Sequence, residues 1–546
     1  MFYYKITNIP RYISHKELFK VIKEQIDLSN NRHKLSYKPN SEHAKLICHQ
    51  EIPTVTELII KKNICNIVQS EEPFIDKNKK FKNVILQPKS EYDIRNSVTP
   101  LWNMPYENQI EHKKTQIEKF YKRKIEYFKT TKFERNNFQF RFGFDHLNIP
   151  MLGYLSKIYI HEHNLVFDVQ NCNNISPKLI EKINVIKNLI SDKPALIYDS
   201  QSRTGFFRSL LVRNFNEEYI ALLQLYDPNY EFLSFLKNNA DYECGEKKSL
   251  FLENYKIIKL FPFDNLHIQC FNARFNGFVP SKTFSIRGDN HLHYKILDRT
   301  FKVSFFSFFQ TNLATAENLC IKLREHQFKN KKLYDFCCGS GFFSIILSNY
   351  FRAIIGVEIE NSSIEDALVN ININEIKNIK IVKDDVTKFQ TDISDFSLIP
   401  QIELNPIVNK SCDTELLNEK KNTEIINNFL EKTIQNQIDI KEEKNNSQSQ
   451  SLFSFKDDNI EKCSMILDPP RRGVSKKTIQ NIRKNDNINE IIYISCDYKA
   501  SYGNILDLCK NTSNSYKNEP FRIQKVLAFD MFPNTENSEV VLILIR

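Results

Sequence analysis

One cysteine of this 546-residue chain stands where a nucleophile could act. The apolar run Ile491–Ile494 predicts a strand, and Cys496 follows at its end. A thiol at the carboxyl edge of a parallel strand is a candidate nucleophile, although most cysteines are buried as small hydrophobes. Glu539, directly before the last predicted strand Val540–Ile545, supplies a carboxylate that could act as a base. The pair indicates covalent catalysis.

A glycine loop precedes this pair in the chain. The segment Lys332–Gly341 predicts a short strand that runs into a loop, and a helix follows over Phe342–Asn349. Glycines let the backbone approach a ligand closely at the carboxyl end of a strand. The next predicted strand, Ala353–Val357, ends in Glu358, which is placed to bind the two hydroxyls of a ribose.

The glycine loop does not match the sites that bind nucleotide phosphates. It lacks the third glycine of a dinucleotide fingerprint, and it has no G-K-[ST] for a triphosphate. The pattern D-x-x-C-G-x-G from Asp335 to Gly341 instead resembles the S-adenosylmethionine loop of Rossmann-fold methyltransferases. The third predicted strand ends near Asp384 and Asp385, which are candidates to contact an adenine or are solvated turn residues.

A second loop is expected at the same edge of the sheet. The apolar strand Ser464–Leu467 runs into Asp468, two prolines and Arg471. Consecutive prolines fix an extended loop where open α/β sheets bind their ligands. The strand, loop and helix rhythm from residue 298 to the end predicts an α/β fold with a doubly wound parallel sheet.

Six ordered motifs resemble the RNA uridine C5-methyltransferase family. They are F-F-Q-x-N from Phe308, the D-x-x-C-G-x-G loop, Val357-Glu358, D-P-P-R-x-G from Asp468, Ser495-Cys496, and F-P-x-T-x-x-x-E ending at Glu539. Upstream, the segment 98–106 is similar to the eukaryotic tRNA-modifying branch of that family. The likeness is dense over 298–390 and 462–546, thin over 98–297, and absent between 391 and 461.

The resemblance implies a Rossmann-like class I methyltransferase fold, S-adenosyl-L-methionine as cofactor and a role for each matching residue. Cys496 is the implied nucleophile, which adds to C6 of uracil, and Glu539 is the implied base, which removes the C5 proton. Arg471 is implied beside the substrate, and Phe309 is a candidate to stack on the target base, although an aromatic in a Phe-rich run is more often core. The implied cofactor-binding residues are Gln310, Cys337, Gly339, Glu358 and Asp468.

Two positions depart from the family pattern, and they leave the activity open to alternatives. Asn537 stands where histidine is common, and Asp497 stands where asparagine is common, so that its charge is expected to oppose thiolate formation. We expect methylation of uridine C5 in RNA, at the T-loop uridine of tRNA (position 54). The alternatives are a methyltransferase for ribosomal RNA, a catalytically weakened RNA-binding or chaperone protein, and an amino-methyltransferase that gives Cys496 and Glu539 no role.

The first 75 residues alternate strand and helix signals at short spacing. The predicted order is β-α-β-β-α-β, with the second helix over about Thr54–Lys62, and it resembles the RNA-recognition motif fold. Lys5 stands where that family has an aromatic residue of its base-stacking platform. Residues 1–75 are therefore predicted to form a domain for which RNA binding and a structural or protein-binding role are both open.

Three further regions follow. Residues 76–136 are predicted to be a basic linker with a long helix over 105–130, in which lysines interleave with aromatics. Residues 137–297 predict a mixed, β-rich domain for RNA binding or support. Residues 298–546 predict the methyltransferase domain, interrupted over 391–460 by a polar insertion that is predicted to be disordered because it cannot bury enough apolar surface.

Charge and cysteine spacing bear on the partners. The chain has a net charge of +10, and the segment 391–460 holds 13 acidic and 7 basic residues, so the remainder carries +16. That balance favours an RNA phosphate partner. The twelve cysteines form no C-x-x-C pair, and no run reaches the roughly 18 apolar residues of a membrane helix. We therefore expect a soluble monomer in the cytoplasm, the nucleus or both, with tRNA as partner and without a metal or a membrane partner.

Overall fold

A computed structural model of the chain divides into two compact units, Met1–Gln87 and Pro88–Arg546. The residues that the structure describes are 2–10, 14–26, 33–37, 43–48, 57–60, 63–70, 89–156, 164–199, 202–237, 247–271, 283–389, 391, 396–397, 399 and 462–546. The insertion predicted over 391–460 lies outside the described residues except at four positions.

The first unit is an antiparallel sheet with the strand order β2-β3-β1-β5-β4. Its described elements are β1 (Phe2–Thr7), α1 (His15–Gln25), β2 (His33–Tyr37), β3 (His43–Cys48), β4 (Glu57–Ile60) and β5 (Asn63–Ser70). Helix α1 begins with a capping box. Ser14 Oγ accepts from the Glu17 N–H at 3.2 Å, and Glu17 Oε2 accepts from the Ser14 N–H at 2.8 Å.

The helix predicted over Thr54–Lys62 is wrong in its described part. Glu57–Ile60 forms β4, which pairs antiparallel with β5. The backbone of Ile59 is bound by Gln25, whose Nε2 donates to Ile59 O at 2.7 Å and whose Oε1 accepts from Ile59 N at 2.8 Å. β-branched residues favour a strand where such partners exist. The likeness to an RNA-recognition motif stays a prediction.

The second unit opens with α2 (Arg95–Val98), α3 (Tyr106–Tyr121) and β6 (Glu126–Phe128). The helix predicted over 105–130 is therefore too long. It ends at Tyr121 because Lys122 adopts the left-handed region with φ +54°. The residues after it join a sheet, and Phe128 stacks on Phe529 with ring centroids 4.8 Å apart. This distant partner overrides the local helical pattern.

A six-stranded sheet follows, with the order β12-β11-β10-β9-β7-β8. Three helices contribute to the apolar core on one face of this sheet, so the region is more helical than predicted. On the other face, Phe215, Ile220 and Leu222 pack into the core of the next sheet. The elements are β7 (Asn137–Phe144), β8 (Pro150–Gly153), α4 (Pro177–Ile190), β9 (Phe207–Phe215), β10 (Glu218–Tyr226), α5 (Glu231–Lys237), α6 (Lys247–Lys259), β11 (Asn265–Phe271) and β12 (Thr283–Arg287).

The remaining chain forms a two-stranded sheet and most of an eight-stranded sheet. Its elements are β13 (His291–Ile296), β14 (Arg299–Ser304), α7 (Leu313–Glu325), β15 (Lys332–Phe336), α8 (Phe342–Ile346), β16 (Ala353–Glu358), α9 (Asn361–Ile373), β17 (Ile379–Lys383), β18 (Cys463–Leu467), α10 (Lys476–Lys484), β19 (Ile488–Ser495), α11 (Tyr502–Leu508), β20 (Arg522–Phe529) and β21 (Glu539–Ile545). The sheet order is β17-β16-β15-β18-β19-β21-β20-β6. Strands β15 to β19 are parallel, and β21 is antiparallel to both of its neighbours. The predicted doubly wound sheet is confirmed.

The strand order of this sheet reverses between β15 and β18. Ligands of open α/β sheets bind in the crevice outside the carboxyl ends of the strands at such a switch point. The loops 337–341 and 468–473 leave those two ends. Of the described helices, none has both the length and the apolar character to cross a bilayer. Nor is there, within the same residues, a group of three or more His, Cys, Asp or Glu side chains arranged for a metal ion.

Candidate active site

The loop after β15 is fixed by the carboxylate of Glu358. Gly339, with φ +55°, donates its N–H to Glu358 Oε2 at 2.9 Å. The N–H groups of Ile359 and Glu360 donate to Oε1 at 2.7 and 2.9 Å. Since a carboxylate has about four acceptor positions, one position on Oε2 is left for a ligand hydroxyl. A Cβ at Gly339 would make only van der Waals contact, with Phe308 at 3.9 Å, so the loop backbone is not crowded at this point.

Asp335, on β15, carries a buried carboxyl group with spare hydrogen-bonding capacity. Its Oδ2 accepts from the N–H of Ser344 at 3.0 Å and from the Ser344 hydroxyl at 2.6 Å. Its Oδ1 is buried and has no hydrogen-bond partner among the described atoms. Burial raises the pKa of Asp335 to about 7. An unpaired buried acceptor costs about 1–3 kcal/mol, so this position fits a ligand that donates a hydrogen bond or carries a positive charge.

Asp468 directly follows β18, the strand that pairs with β15 and its Asp335. Its N–H donates to Phe336 O at 3.4 Å. Burial, and then the charge of Asp335, raise the pKa of Asp468 to about 8. Further along this loop, the side chain of Arg471 is exposed, and its positive charge acts on Cys496. The loop thus places a carboxyl group and a permanent positive charge at the site.

Cys496 is the first residue after β19 and is half-buried. Burial raises the pKa of its thiol to about 11, with Glu539 and Asp468 adding to the effect and Arg471 opposing it. With only the protein's own charges around it, the thiol keeps its proton near neutral pH. A thiolate at this position needs additional positive charge nearby.

The carboxylate of Asp497 faces its own turn, where Oδ1 accepts from the N–H of Ala500 at 3.0 Å. The carboxyl groups that act most strongly on Cys496 are Glu539 and Asp468. The negative charges that oppose thiolate formation, after the larger effect of burial, are therefore those of Glu539 and Asp468 rather than that of Asp497.

Glu539 opens β21 and is 4% exposed. It pairs with Phe529, the last residue of β20. Burial, and then the charge of Asp468, raise the pKa of Glu539 well above its ordinary value. A carboxyl group with a raised pKa beside a candidate nucleophile has the properties of a general base, since it takes up a proton readily.

Phe309 is a core residue, which is contrary to its predicted contact with a base. It is 4% exposed, and its ring lies 5.6 Å from that of Phe301 and 5.3 Å from that of Phe342. It has no free face on which a base could stack. The neighbouring Phe308 is instead 58% exposed and lies beside Gly339. A Phe-rich run without regular periodicity does not reveal which ring faces outward.

The two remaining residues implied in cofactor binding lie on loops. Gln310 is nearly buried, and its backbone oxygen accepts from Asn136 Nδ2 at 2.7 Å. Cys337 adopts φ +61° and donates its N–H to Val357 O at 2.9 Å. Burial, and then the charge of Glu358, raise the pKa of Cys337 to about 12. Its thiol is therefore inert as an acid.

Tyr493 on β19 was missed by the sequence analysis. Its hydroxyl donates to Asn504 Oδ1 at 2.9 Å, and it interacts electrostatically with Cys337, Asp468 and Cys496. The structure therefore brings these three candidate residues around one buried phenol. A signal for it was present in the sequence, since Tyr493 is the aromatic residue in a strand rich in isoleucine.

Comparison with known proteins decides the family. A family model described as tRNA (Uracil-5-)-methyltransferase matches residues 269–415 and 417–546, about half of the chain. The chain belongs to this family. The membership expected from the six motifs is confirmed.

Relatives of this tRNA (uracil-5-)-methyltransferase family member are distant. The tRNA (uracil-5-)-methyltransferase homolog A of Homo sapiens is 24% identical over 372 residues, which cover 67% of this chain and 48% of the relative. The corresponding mouse protein is matched over 49% of its length, so the chain spans about half the length of these two relatives. An uncharacterized RNA methyltransferase of Clostridium acetobutylicum is 26% identical, with 81% of this chain and 80% of the relative covered.

The fold also has a counterpart among solved structures. The Pyrococcus abyssi tRNA (uracil-54, C5)-methyltransferase, crystallised in complex with S-adenosyl-L-homocysteine, superposes with a TM-score of 0.52 at 18% identity. The match covers 82% of this chain and 85% of that chain. This likeness supports a class I methyltransferase fold for the region that contains the eight-stranded sheet.

The raised pKa of Cys496 predicts slow alkylation at neutral pH. Below the thiol pKa, the iodoacetamide rate should rise about tenfold per pH unit, because only the thiolate reacts. Arg471→Ala should raise the pKa further and slow the reaction at pH 8, because it removes the positive charge that acts on the thiol. Peptide mass spectrometry measures the rate at Cys496, with Cys496→Ser as the background. A rate that is already independent of pH at pH 8 would contradict the assigned pKa.

Proposed function

We propose that this protein is an S-adenosyl-L-methionine-dependent enzyme that methylates carbon 5 of uridine in RNA. The observation that carries the proposal is the meeting of the Cys496 thiol with the raised-pKa carboxyl of Glu539 at the switch-point edge of a doubly wound sheet. We further propose the T-loop uridine of tRNA (position 54) as the target. The names of the human relative and of the archaeal structure support that choice.

The proposed chemistry uses the thiol first and the carboxylate last. Carbon 5 of uracil is a weak nucleophile, and addition of Cys496 Sγ to C6 turns it into an enolate carbon. The cofactor would supply an electrophilic methyl group on a sulfonium: C5 would form the new carbon–carbon bond, and the electron pair of the broken methyl–sulfur bond would stay on sulfur. Glu539 then accepts the C5 proton. The C–H electron pair restores the C5=C6 bond, and the C6–S pair returns to Cys496.

The residues around the glycine loop fit the cofactor. The acceptor position left on Glu358 Oε2 suits a ribose hydroxyl, and the uncrowded backbone at Gly339 suits close approach of a nucleoside. The unpartnered Oδ1 of Asp335 suits a donor or a positive charge. In this proposal Asp468 binds near the methionine end, and Gln310 and Cys337 are further cofactor contacts.

The protonation of the site must change before the reaction. Cys496, Asp468 and Glu539 all hold protons more strongly than ordinary groups. A positive charge favours the ionised form of each of them. Arg471 already supplies one such charge beside Cys496, and the sulfonium of the bound cofactor would supply a second. The thiol and the base are then active only when the site is filled.

The target uridine must leave its stack to reach Cys496, at a cost of a few kcal/mol that is lowest in a loop. The exposed ring of Phe308 is available to stack on it, a role that its buried neighbour Phe309 does not support. The net charge of +16 outside the insertion supports attraction to the phosphates of RNA, which weakens as salt rises.

Replacement of the nucleophile tests the proposal directly. Cys496→Ala should reduce 5-methyluridine in tRNA by at least about 1,000-fold, because methylation of C5 depends on prior addition at C6. Nucleoside mass spectrometry on tRNA and ribosomal RNA substrates measures the product. Cys509→Ala, a half-buried cysteine after α11, is the matched control and should retain full activity.

Two outcomes would redirect the proposal. Undiminished product from Cys496→Ala would remove the covalent mechanism. RNA binding without methyl transfer by the wild-type protein would indicate a family member that acts as an RNA chaperone, and product only in ribosomal RNA would change the substrate.

The proposed cofactor contact at Glu358 predicts weaker binding when its charge is removed. Glu358→Gln should raise the dissociation constant for S-adenosyl-L-homocysteine about tenfold, since a hydrogen bond to a charged group contributes about 1.5–3 kcal/mol. Isothermal titration calorimetry measures the change. The exposed Glu360→Gln on the same turn is the control, and equal affinities for the two variants would exclude Glu358 as a ligand.

A further inference from the structure

Glu539 stands at the end of a loop rather than inside regular structure. The nine residues 530–538 connect β20 to β21, and Glu539 is the first residue of the second strand. Its strand partner at this end of the sheet is Phe529. The position of its carboxyl group therefore depends on how the loop 530–538 is fixed.

Helix α3 binds the start of this loop through Lys113. Lys113 Nζ donates to Asp530 Oδ1 at 2.6 Å and to Phe532 O at 3.0 Å. The two charged side chains are 1% and 0% exposed. The second oxygen of Asp530 accepts from the hydroxyl of Tyr106, also on α3, at 2.8 Å. One helix thus satisfies both the carboxylate and a loop carbonyl.

The middle and the end of the loop are bound in the same way. Gln109 of α3 donates to Asn534 Oδ1 at 3.0 Å and accepts from the Asn534 N–H at 3.0 Å. The hydroxyls of Tyr127 and Ser538 lie 2.8 Å apart, one residue before Glu539. These contacts run along the loop up to the candidate base.

The free energy of burying this ion pair indicates that it fixes the geometry of the loop rather than increasing the stability of the fold. Burying two charges costs several kcal/mol per ion, and a well-packed apolar pair is often as stable or more stable. An apolar pair has no donor for the carbonyl of Phe532, which Lys113 binds together with Asp530. What the ion pair adds is therefore a fixed loop conformation.

We propose that Lys113, assisted by Gln109, is a positioning residue for Glu539, so that helix α3 belongs to the machinery that removes the C5 proton. This inference rests on the proposed function. In that step the carboxylate of Glu539 takes the C5 proton, the C–H pair becomes the C5=C6 bond, and the C6–S bond breaks with its electrons returning to Cys496. A displacement of about 1 Å costs a catalytic group about 100-fold.

The inference predicts a step-specific defect. The helix α3 contacts support the base and not the nucleophile, so their loss should slow release of the adduct more than its formation. Lys113→Met keeps the length of the side chain and removes its charge and donors. Lys119→Met is the matched control, because Lys119 is exposed on the same helix.

The experiment follows methyl-labelled S-adenosyl-L-methionine and tRNA with full-length protein through a quenched time course. Denaturing gels measure the label bound covalently to protein with RNA, and nucleoside analysis measures released 5-methyluridine. We expect Lys113→Met to slow release at least tenfold while formation of the adduct changes less than threefold. Lys119→Met should match the wild type. Gln109→Leu, which removes no charge, should shift the same ratio in the same direction.

Each of the other outcomes would contradict either the positioning role of α3 or the proposed function. Equal slowing of formation and release in both Lys113→Met and Gln109→Leu would indicate a purely structural role for α3, as would failure of both variants to fold. Unchanged release in both would show that the loop is fixed without them. Absence of 5-methyluridine from the wild-type reaction would remove the proposed function, and the inference with it.

Discussion

Three carboxyl groups, those of Asp335, Asp468 and Glu539, are buried near one another at one edge of a sheet, and the cost of ionising them there governs the site. Burial is the largest cause of the raised pKa of each, and a neighbouring negative charge adds to it: Glu358 for Asp335, Asp335 for Asp468 and Asp468 for Glu539. The Cys496 thiol shares this environment, with a pKa of about 11. Burial and these charges therefore favour the protonated forms, and a positive charge nearby would favour both the thiolate and the carboxylate base.

The fold explains why these groups meet. Strands β15, β18 and β19 run parallel, so their carboxyl ends place Asp335, Asp468 and Cys496 at one edge. Strand β21 runs antiparallel to β19, so its first residue, Glu539, reaches that edge from the opposite direction. This geometry leaves Glu539 dependent on the loop before it, which helix α3 fixes through the Lys113 ion pair. A segment at the start of the second unit thereby bears on the last chemical step.

Much of this arrangement could be predicted from the sequence, because motifs that recur at predicted strand ends indicate a parallel sheet. Contacts between residues far apart in the chain could not be predicted. The strand at Glu126–Phe128 follows a helical pattern, and its partner strand lies about 400 residues away, so the helix was predicted to run too far. Phe308 and Phe309 are identical neighbouring residues, and only the tertiary packing determines which of them is buried. Lys113 belongs to the lysines of the predicted basic helix, yet it is among the most buried large side chains of the described residues.

We propose that Cys496 forms a covalent bond with C6 of uridine. This bond breaks only after the C5 substituent, normally a proton, has left as a cation. Fluorine at C5 cannot leave as a cation, so RNA containing 5-fluorouridine should stay attached after methyl transfer. The decisive measurement is peptide mass spectrometry on that complex, formed with S-adenosyl-L-methionine and digested by protease and nuclease. We expect a methylated fluorouridine on the peptide that contains Cys496. Attachment at another residue, or full turnover without any attachment, would contradict this expectation.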